Sequence, residues 1–283
     1  MPNQYHEQNR LSWNEATRRH NQHKGDQAKF LREGGSTLFP EEVALLGNLR
    51  GKSLLHLQCN AGQDTLSIAS KLGADVTGVD ISDEAVDFAT CLSRDSGIPG
   101  VFIRSDLFDW FDQNRRTFDV VFTSYGATGW LSDLQRWGRG IASALKPGGK
   151  FVMIEFHPAA LMFEKDWILH YDYMGGTLIA GDGVGDYVAE SGGALTHTNL
   201  PIQIQEKFVN PQSSYEFPWG IADHVMALLD AGLTLQLLKE YPYSNGWKPF
   251  PDMVEAEGRR MFPPKDKPII PLMFAIIAIK PDL

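Results

Sequence analysis

Short apolar runs alternate with helix-like segments through the middle of the chain. The apolar runs fall at Ser53–Gln58, Asp75–Val79, Val101–Arg104, Asp119–Thr123 and Phe151–Phe156. The segments between them, Gly62–Leu72, Ser82–Ser96 and Leu131–Leu145, have the apolar spacing of helices. Continuous apolar strands joined by helices are typical of a parallel sheet with both faces covered. The pattern predicts an α/β fold with a doubly wound, mostly parallel sheet, which binds ligands at the carboxyl ends of its strands.

The segments on either side of this alternation have different patterns. The first fifty residues are polar with helical spacing, and Pro40 followed by two glutamates is typical of a helix start. After the fifth strand, glycines and aromatic residues crowd together, and Ile202, Ile204 and Phe208 suggest strand-like structure. Near the end, Leu233–Glu240 and Leu272–Ile279 supply two more strands, which gives seven in the main sheet.

These patterns divide the chain into four parts. We predict an N-terminal helical cap over 1–50 and a Rossmann-like core over 51–158. An insertion over 159–216 is expected to form a small β-rich lid or pocket wall, and 217–283 completes the core.

Composition and charge exclude several classes of protein. The 283 residues carry a net charge of -9, and no cluster of lysine and arginine offers the basic face that a duplex nucleic acid requires. No run approaches the length of a membrane span, and the first residues lack the apolar core of a secretory leader. Two cysteines cannot form a disulfide framework. We therefore expect a cytoplasmic protein that acts on a small molecule and binds neither nucleic acid nor membrane.

The first strand runs into a tight turn and then into a helix. The turn contains Gln58, Asn60 and Gly62, and such a turn presents backbone N–H groups and a helix start to a ligand. Asp80 ends the second strand, where a carboxylate can accept two hydrogen bonds from a ribose diol. Either segment alone could be an ordinary α/β turn, but their order and spacing favour a nucleoside site.

This stretch resembles the class I S-adenosylmethionine-dependent methyltransferases over about residues 50–158. The positions of that family's first motif are His56, Gln58, Asn60 and Gly62 here, so the acid is missing and one of three glycines remains. Asn tolerates positive φ better than most residues, so Asn60 can stand in for a glycine. Later segments match in order: Ser105-Asp106-Leu107 after the third strand, Phe118–Tyr125 for the fourth, and Leu145–Phe151 before the fifth.

The resemblance implies S-adenosylmethionine as cofactor, S-adenosylhomocysteine as product, and no metal. It implies that the cofactor is bound by Gln58, Asn60, Ala61, Gly62, Asp80, Ile81, Ser105, Asp106, Leu107, Thr123 and Ser124. Gln58 is expected to hydrogen-bond the amino-acid end of the cofactor, Asp80 to bind its ribose, and Asp106 to accept from its adenine amino group.

Two residues are candidates for catalysis, and four are candidates for a lid over the site. His157 closes the fifth strand and could act as a base, although a histidine hydrogen-bonded at a strand end has the same pattern. Tyr125 follows the fourth strand and could orient the acceptor or simply form an aromatic wall. Trp13 and His20 on the first helix, with Trp167 and Tyr171 in the insertion, are candidate lid residues.

Several alternatives remain open. A dinucleotide oxidoreductase is disfavoured, because Gln58, Asn60 and Gln63 stand where a diphosphate needs small residues. The altered turn also fits a non-catalytic relative that binds the cofactor or serves as a regulator. RNA methylation is disfavoured because acidic residues outnumber basic ones. The acceptor, the atom methylated and the choice between monomer and homodimer are left undecided.

Overall fold

The protein is described by a computed structural model over residues 3–174, 178–191, 194–196 and 208–282. The strands of this part of the chain are β1 Ser53–Leu57, β2 Asp75–Asp80, β3 Val101–Arg104, β4 Phe118–Ser124, β5 Leu145–Phe156, β6 Ile179–Gly181, β7 Ser214–Glu216, β8 Thr234–Tyr241, β9 Ser244–Asn245, β10 Val254–Ala256, β11 Arg260–Phe262 and β12 Met273–Ile279. The α-helices are α1 Gln4–Gln22, α2 Gln27–Arg32, α3 Pro40–Leu46, α4 Gln63–Leu72, α5 Asp83–Ser96, α6 Leu107–Gln113, α7 Leu134–Ala144, α8 Tyr187–Glu190 and α9 Ile221–Asp230.

Seven strands form the main sheet, in the order β3-β2-β1-β4-β5-β12-β8. The pairs from β3 to β5 are all parallel, and β12 lies antiparallel between β5 and β8. The predicted α/β fold with a mostly parallel, seven-stranded sheet is therefore confirmed. The strand order reverses between β1 and β4, and the crevice at their carboxyl ends is where a sheet of this kind binds a ligand.

Alternate residues along the strands enter two apolar layers. On one face, Leu55 and Val121 pack with Trp137 of α7 and Leu228 of α9. On the other face, Leu54 and Phe122 belong to a layer that includes Leu46 of α3 and Ile68 of α4. Because successive side chains of a strand point to opposite faces, a continuous apolar run fills both layers at once.

The helix boundaries have local causes. The Ser82 hydroxyl accepts a hydrogen bond from the backbone N–H of Ala85 and so caps α5, and the left-handed Gly97 ends this helix. Pro40 begins α3 as predicted, and the Glu42 carboxylate accepts from the Phe39 N–H at 2.5 Å. The hydrogen bonds of Ser82 and Glu42 satisfy backbone N–H groups that a helix start leaves without a partner.

Three parts of the chain differ from the sequence prediction or extend it. The sequence predicts Leu145–Phe151 as the turn before the fifth strand, but this stretch belongs to β5, and Leu145 pairs with Phe118 before the register shifts. The insertion holds β6 and β7, which pair antiparallel, while Ile202 and Ile204 lie outside the described residues. A small sheet of order β10-β11-β9 between β8 and β12 has no counterpart in the prediction.

Within the described ranges, the search for a helix long and apolar enough to cross a bilayer finds none.

We predict that Gly138→Ala destabilises the protein by about 1–3 kcal/mol in urea unfolding. Gly138 lies in α7, where an added Cβ would press on the backbone carbonyl of Ala227 in α9. This clash outweighs the gain in helix propensity, which is at most about 1 kcal/mol. Gly129→Ala is the control, because its Cβ would meet open space. Equal stability of both variants would show that α7 and α9 are not in close contact.

Candidate functional site

The turn between β1 and α4 uses left-handed backbone at three positions. Gln58 has a φ of 52°, Asn60 of 47° and Gly62 of 76°. Gly62 is also sterically required, since a Cβ there would lie 2.6 Å from the Cβ of Ala89. Asn60 takes the conformation of a glycine, as expected, and its own side-chain oxygen accepts from the N–H of Ala61 at 2.6 Å. Gln58 also has a left-handed backbone, but its side chain makes no such hydrogen bond to the next residue, so we interpret its backbone as strained.

The Asp80 carboxylate connects this turn to the turn after β2. Its Oδ2 accepts from the Asn60 N–H at 2.8 Å, and its Oδ1 accepts from the Ser82 N–H at 2.8 Å. Burial raises the pKa of Asp80 to about 6, although these backbone hydrogen bonds favour the ionised form. A carboxylate offers about four lone-pair positions, so two stay available to a ribose diol. The residue therefore fits the sugar-binding role that the sequence predicts.

Gln58 contributes a buried oxygen at the same crevice. Its Nε2 donates to the carbonyl of Ala127 at 2.7 Å, whereas its Oε1 is buried and has no hydrogen-bond partner among the described residues. A buried acceptor without a partner is costly and indicates that a donor binds there. The ammonium group of an amino-acid moiety is a donor of this kind, so the geometry fits the predicted cofactor.

Glu155 fixes the loop that follows β4. Its carboxylate is buried and accepts from the backbone N–H groups of Gly126, Ala127 at 2.8 Å and Thr128 at 3.1 Å. Burial raises the pKa of Glu155 above its usual value, while the donated hydrogen bonds oppose this shift. The loop is thus held by Glu155 through its amides and by Gln58 through the Ala127 carbonyl.

The turn after β3 is tied to the first helix. Asp106 caps α6 by accepting from the Phe108 N–H at 2.8 Å, and its other oxygen lies 2.5 Å from His6 Nδ1. Since His6 Nε2 accepts from the Ser132 N–H at 3.1 Å, Nδ1 carries the proton and donates it to Asp106. Leu107 lies in the apolar core rather than in the crevice. The role of Asp106 in binding adenine stays a prediction. In that role the carboxylate would accept from the adenine amino group and from His6 together.

Helix α1 lies across the carboxyl ends of the strands. The Asn14 amide oxygen accepts from Ser82 Oγ at 2.7 Å, just after β2. Trp13 meets Trp130 edge to face with ring centroids 5.4 Å apart, and His20 meets Tyr187 at 4.3 Å. Burial lowers the pKa of His20 to about 4, so its ring is neutral. The lid role of Trp13 and His20 stays a prediction.

The end of β4 carries the remaining predicted side chains. Thr123 is fully buried and its Oγ1 has no partner among the described residues, while Ser124 Oγ lies 3.4 Å from His56 Nε2. Tyr125 has a φ of 20°, and its phenol oxygen accepts from Asn245 Nδ2 at 2.8 Å. Burial raises the pKa of the Tyr125 phenol well above its usual value, so it is protonated at neutral pH.

His157 has both ring nitrogens engaged. Nδ1 accepts from the Ala159 N–H at 3.0 Å, and Nε2 donates to Glu240 at 2.8 Å. Burial lowers the pKa of His157, and the Glu240 carboxylate opposes this shift. These contacts join the end of β5 to β8 and favour a structural role over that of a base, which stays a prediction.

The two lid candidates of the insertion lie elsewhere. Trp167 stacks on Phe250 with centroids 3.6 Å apart and donates through Nε1 to Asp252 at 2.9 Å. Tyr171 is exposed, and its hydroxyl donates to Glu164 at 3.2 Å. Their lid role stays a prediction, supported by neither contact.

The described residues contain no group of three or more metal-binding side chains. The His23 Nε2 atom lies 2.8 Å from the Asp186 carboxylate. Cys59 is buried beside Gly78, and burial raises the pKa of its thiol well above the usual range, so the thiol is protonated.

Sequence reasoning missed several residues of the crevice. Trp130 and Tyr187 join Trp13 and His20, and Asn245 reaches Tyr125 from β9. An aromatic residue in a glycine-rich insertion was a signal for Tyr187, but nothing in the sequence placed Asn245 near β4.

Comparisons with known proteins agree with this geometry. Residues 54–149 match the model of a methyltransferase domain. A ubiquinone biosynthesis O-methyltransferase of Photorhabdus laumondii is 29% identical over 103 residues, which cover 36% of this chain and 42% of that protein. The chain thus spans less than half the length of that curated relative.

Two solved structures share the fold. An S-adenosylmethionine-dependent methyltransferase from Mesorhizobium loti aligns with a TM-score of 0.55 and 18% identity, covering 88% of this chain and 99% of that one. A second S-adenosylmethionine-dependent methyltransferase, from Clostridium acetobutylicum, aligns with a TM-score of 0.54 and 14% identity. The alignment covers 91% of this chain and 92% of that one. Residues 54–149, which carry the turn and most strands of the crevice, therefore match a methyltransferase domain, and the chain shares the fold of these S-adenosylmethionine-dependent methyltransferases.

Proposed function

We propose that the protein transfers a methyl group from S-adenosylmethionine to a small-molecule acceptor by in-line displacement. Bound S-adenosylmethionine supplies a methyl group on positively charged sulfur, and the electron pair of the broken bond stays on the neutral thioether of S-adenosylhomocysteine. The acceptor atom gains the methyl group and releases a proton where it carries one.

One observation carries the proposal: a carboxylate and an unpartnered buried oxygen face the same crevice. Asp80 retains lone pairs for a ribose diol, and Gln58 Oε1 needs a donor that an amino-acid ammonium supplies. We infer that Ile81 and Ser105 border the adenine, and that Ala61 and Ser124 border the amino-acid end.

The residues around the crevice contribute position and exclusion of water. Glu155 and Gln58 fix the loop after β4, where the acceptor would lie, and α1 covers the site with Trp13. Correct placement of two reactants contributes about 7–11 kcal/mol to a reaction barrier. We therefore propose that catalysis relies mainly on positioning, with Tyr125 at the acceptor.

The acceptor class is inferred from charge and from the relatives. The net charge of -9 disfavours RNA, and the curated relative named above is described as acting in ubiquinone biosynthesis. Both cysteines are free, which supports the proposal of a cytoplasmic location.

Isothermal titration tests the proposal. We predict saturable binding of both S-adenosylmethionine and S-adenosylhomocysteine, with one site per chain. Absence of binding by either ligand contradicts the proposal. Binding without methyl transfer to any member of a broad acceptor panel would instead favour a non-catalytic relative.

We predict that Asp80→Asn weakens S-adenosylhomocysteine binding by about tenfold to a hundredfold, the range for loss of a hydrogen bond to a charged group. The amide keeps the size of the side chain but has one oxygen instead of two. Asp109→Asn, at an exposed position of α6, is the control and should retain affinity within twofold, because it removes the same charge. Unchanged affinity in Asp80→Asn would show that the ribose lies elsewhere.

Affinity should also depend on pH around 6. Because the pKa of Asp80 is raised to about 6, its carboxyl is mostly protonated at pH 5 and mostly ionised at pH 7. The ionised form accepts both ribose hydroxyls, so we predict about tenfold tighter binding of S-adenosylhomocysteine at pH 7 than at pH 5. The Asp80→Asn variant should lose this dependence. An equally steep profile in the variant would assign the titration to another group.

A further inference from the structure

A second group of buried polar atoms lies beside Tyr125. Asn245 is 1% exposed, and its Nδ2 donates both to the Tyr125 phenol oxygen at 2.8 Å and to Glu41 Oε2 at 3.0 Å. Its Oδ1 has no partner among the described residues. The amide orientation is thereby set, because both acceptors require the NH2 group, and the oxygen is left without a donor.

Glu42 has the same feature. It is fully buried, its Oε2 accepts from the Phe39 N–H at 2.5 Å, and its Oε1 has no partner in the described part of the chain. Burial raises the pKa of Glu42 well above its usual value, which favours the protonated carboxyl. With Oε2 accepting from the backbone, Oε1 is free to carry the proton and donate it.

Aromatic rings surround these atoms. Tyr125 lies between Phe39 at 5.8 Å and Phe156 at 5.5 Å, measured between ring centroids, and Phe156 packs on Trp247 at 4.2 Å. The rings of Tyr125, Phe156 and Trp247 are only half-buried. Partly exposed aromatic faces beside a few oriented polar atoms are typical of a small-molecule site.

Charges near the cluster are balanced. Glu41 is ionised and paired with Arg260 at 2.5 Å, and Tyr243 donates to the same carboxylate at 2.8 Å. The Arg259 guanidinium lies 3.9 Å above the Phe39 ring and donates to backbone carbonyls of 37 and 38. Glu41 and Arg260 offset each other, and the charge of Asp64 acts on the Arg259 guanidinium, so the opposite charges around the rings favour an uncharged ligand.

We infer that Asn245 and Glu42 bind the methyl acceptor, and that this acceptor is an uncharged aromatic ring compound bearing a hydroxyl or amino group. The inference rests on the proposed function, since it assigns the acceptor part of the same site. The ring lies against Tyr125 and Phe156, and the substituent donates to Asn245 Oδ1. Glu41 and Tyr125 are positioning residues, because they hold the Asn245 amide.

Phenol and anisole are matched probes, because anisole keeps the ring and lacks the donor. In ligand-observed NMR titrations of the protein saturated with S-adenosylhomocysteine, phenol should bind at least fivefold more tightly than anisole. Asn245→Leu should abolish this preference, because it removes the acceptor of the phenol proton. Glu42→Leu should weaken the binding of both probes alike, because the oxygen of either probe can accept from Glu42. Glu42→Gln should keep the affinity for both probes, since the amide keeps an oxygen for Phe39 and an N–H group at the position of Oε1.

Controls separate the possible failures. Asn48→Ala, at an exposed loop position, should behave as the unmodified protein. S-Adenosylhomocysteine affinity, measured for every variant, should stay within twofold. Lack of that affinity in the unmodified protein overturns the proposed function itself. Normal cofactor affinity with no phenol preference, or with a preference that survives Asn245→Leu, overturns the assignment of the acceptor site alone. If Asn245→Leu does not fold, the two Glu42 variants decide: equal affinity of Glu42→Leu and Glu42→Gln for the probes overturns the assignment.

Discussion

The carboxylate of Asp80 is the constraint on which the rest of the crevice depends. It ends β2, yet it holds a backbone amide of the neighbouring turn at Asn60 and another at Ser82, the cap of α5. Burying an ionised carboxylate is costly unless donors surround it, and two backbone N–H groups partly offset that cost. The same two bonds keep the turns after β1 and β2 in register, so a ligand meets preformed geometry.

Glu155 repeats this arrangement on β5, three strands from β2 in the sheet. Its carboxylate collects three backbone amides after β4, and the loop leaves Tyr125 at the edge of the crevice. We propose that these loops, held on both sides of the strand reversal, favour methyl transfer by positioning the reactants. Helix α1 makes polar contacts with Ser82, Asp83 and Asp106 beside them. Such contacts exchange with water more readily than an apolar interface, which supports the proposal that α1 is a cover that admits the cofactor.

Local patterns predicted the sheet well, because apolar runs and helix caps are properties of neighbouring residues. The strand from Val101 to Arg104 and the start of α3 at Pro40 agree with prediction, and Asp80 lies at the end of β2 as expected. The left-handed φ of Gln58 was not predictable, since the surrounding structure imposes it. Asn245 is 120 residues from Tyr125 in sequence, and the small sheet that carries it to β4 is a tertiary feature.

A crystal structure of the protein with S-adenosylhomocysteine bound would show whether Asp80 binds the ribose. We predict both ribose hydroxyl oxygens at about 2.5–3.0 Å from the Asp80 carboxylate. We also predict the amino group of the ligand at Gln58 Oε1. A nucleoside bound elsewhere, with Asp80 contacting only the amides of Asn60 and Ser82, would contradict the account.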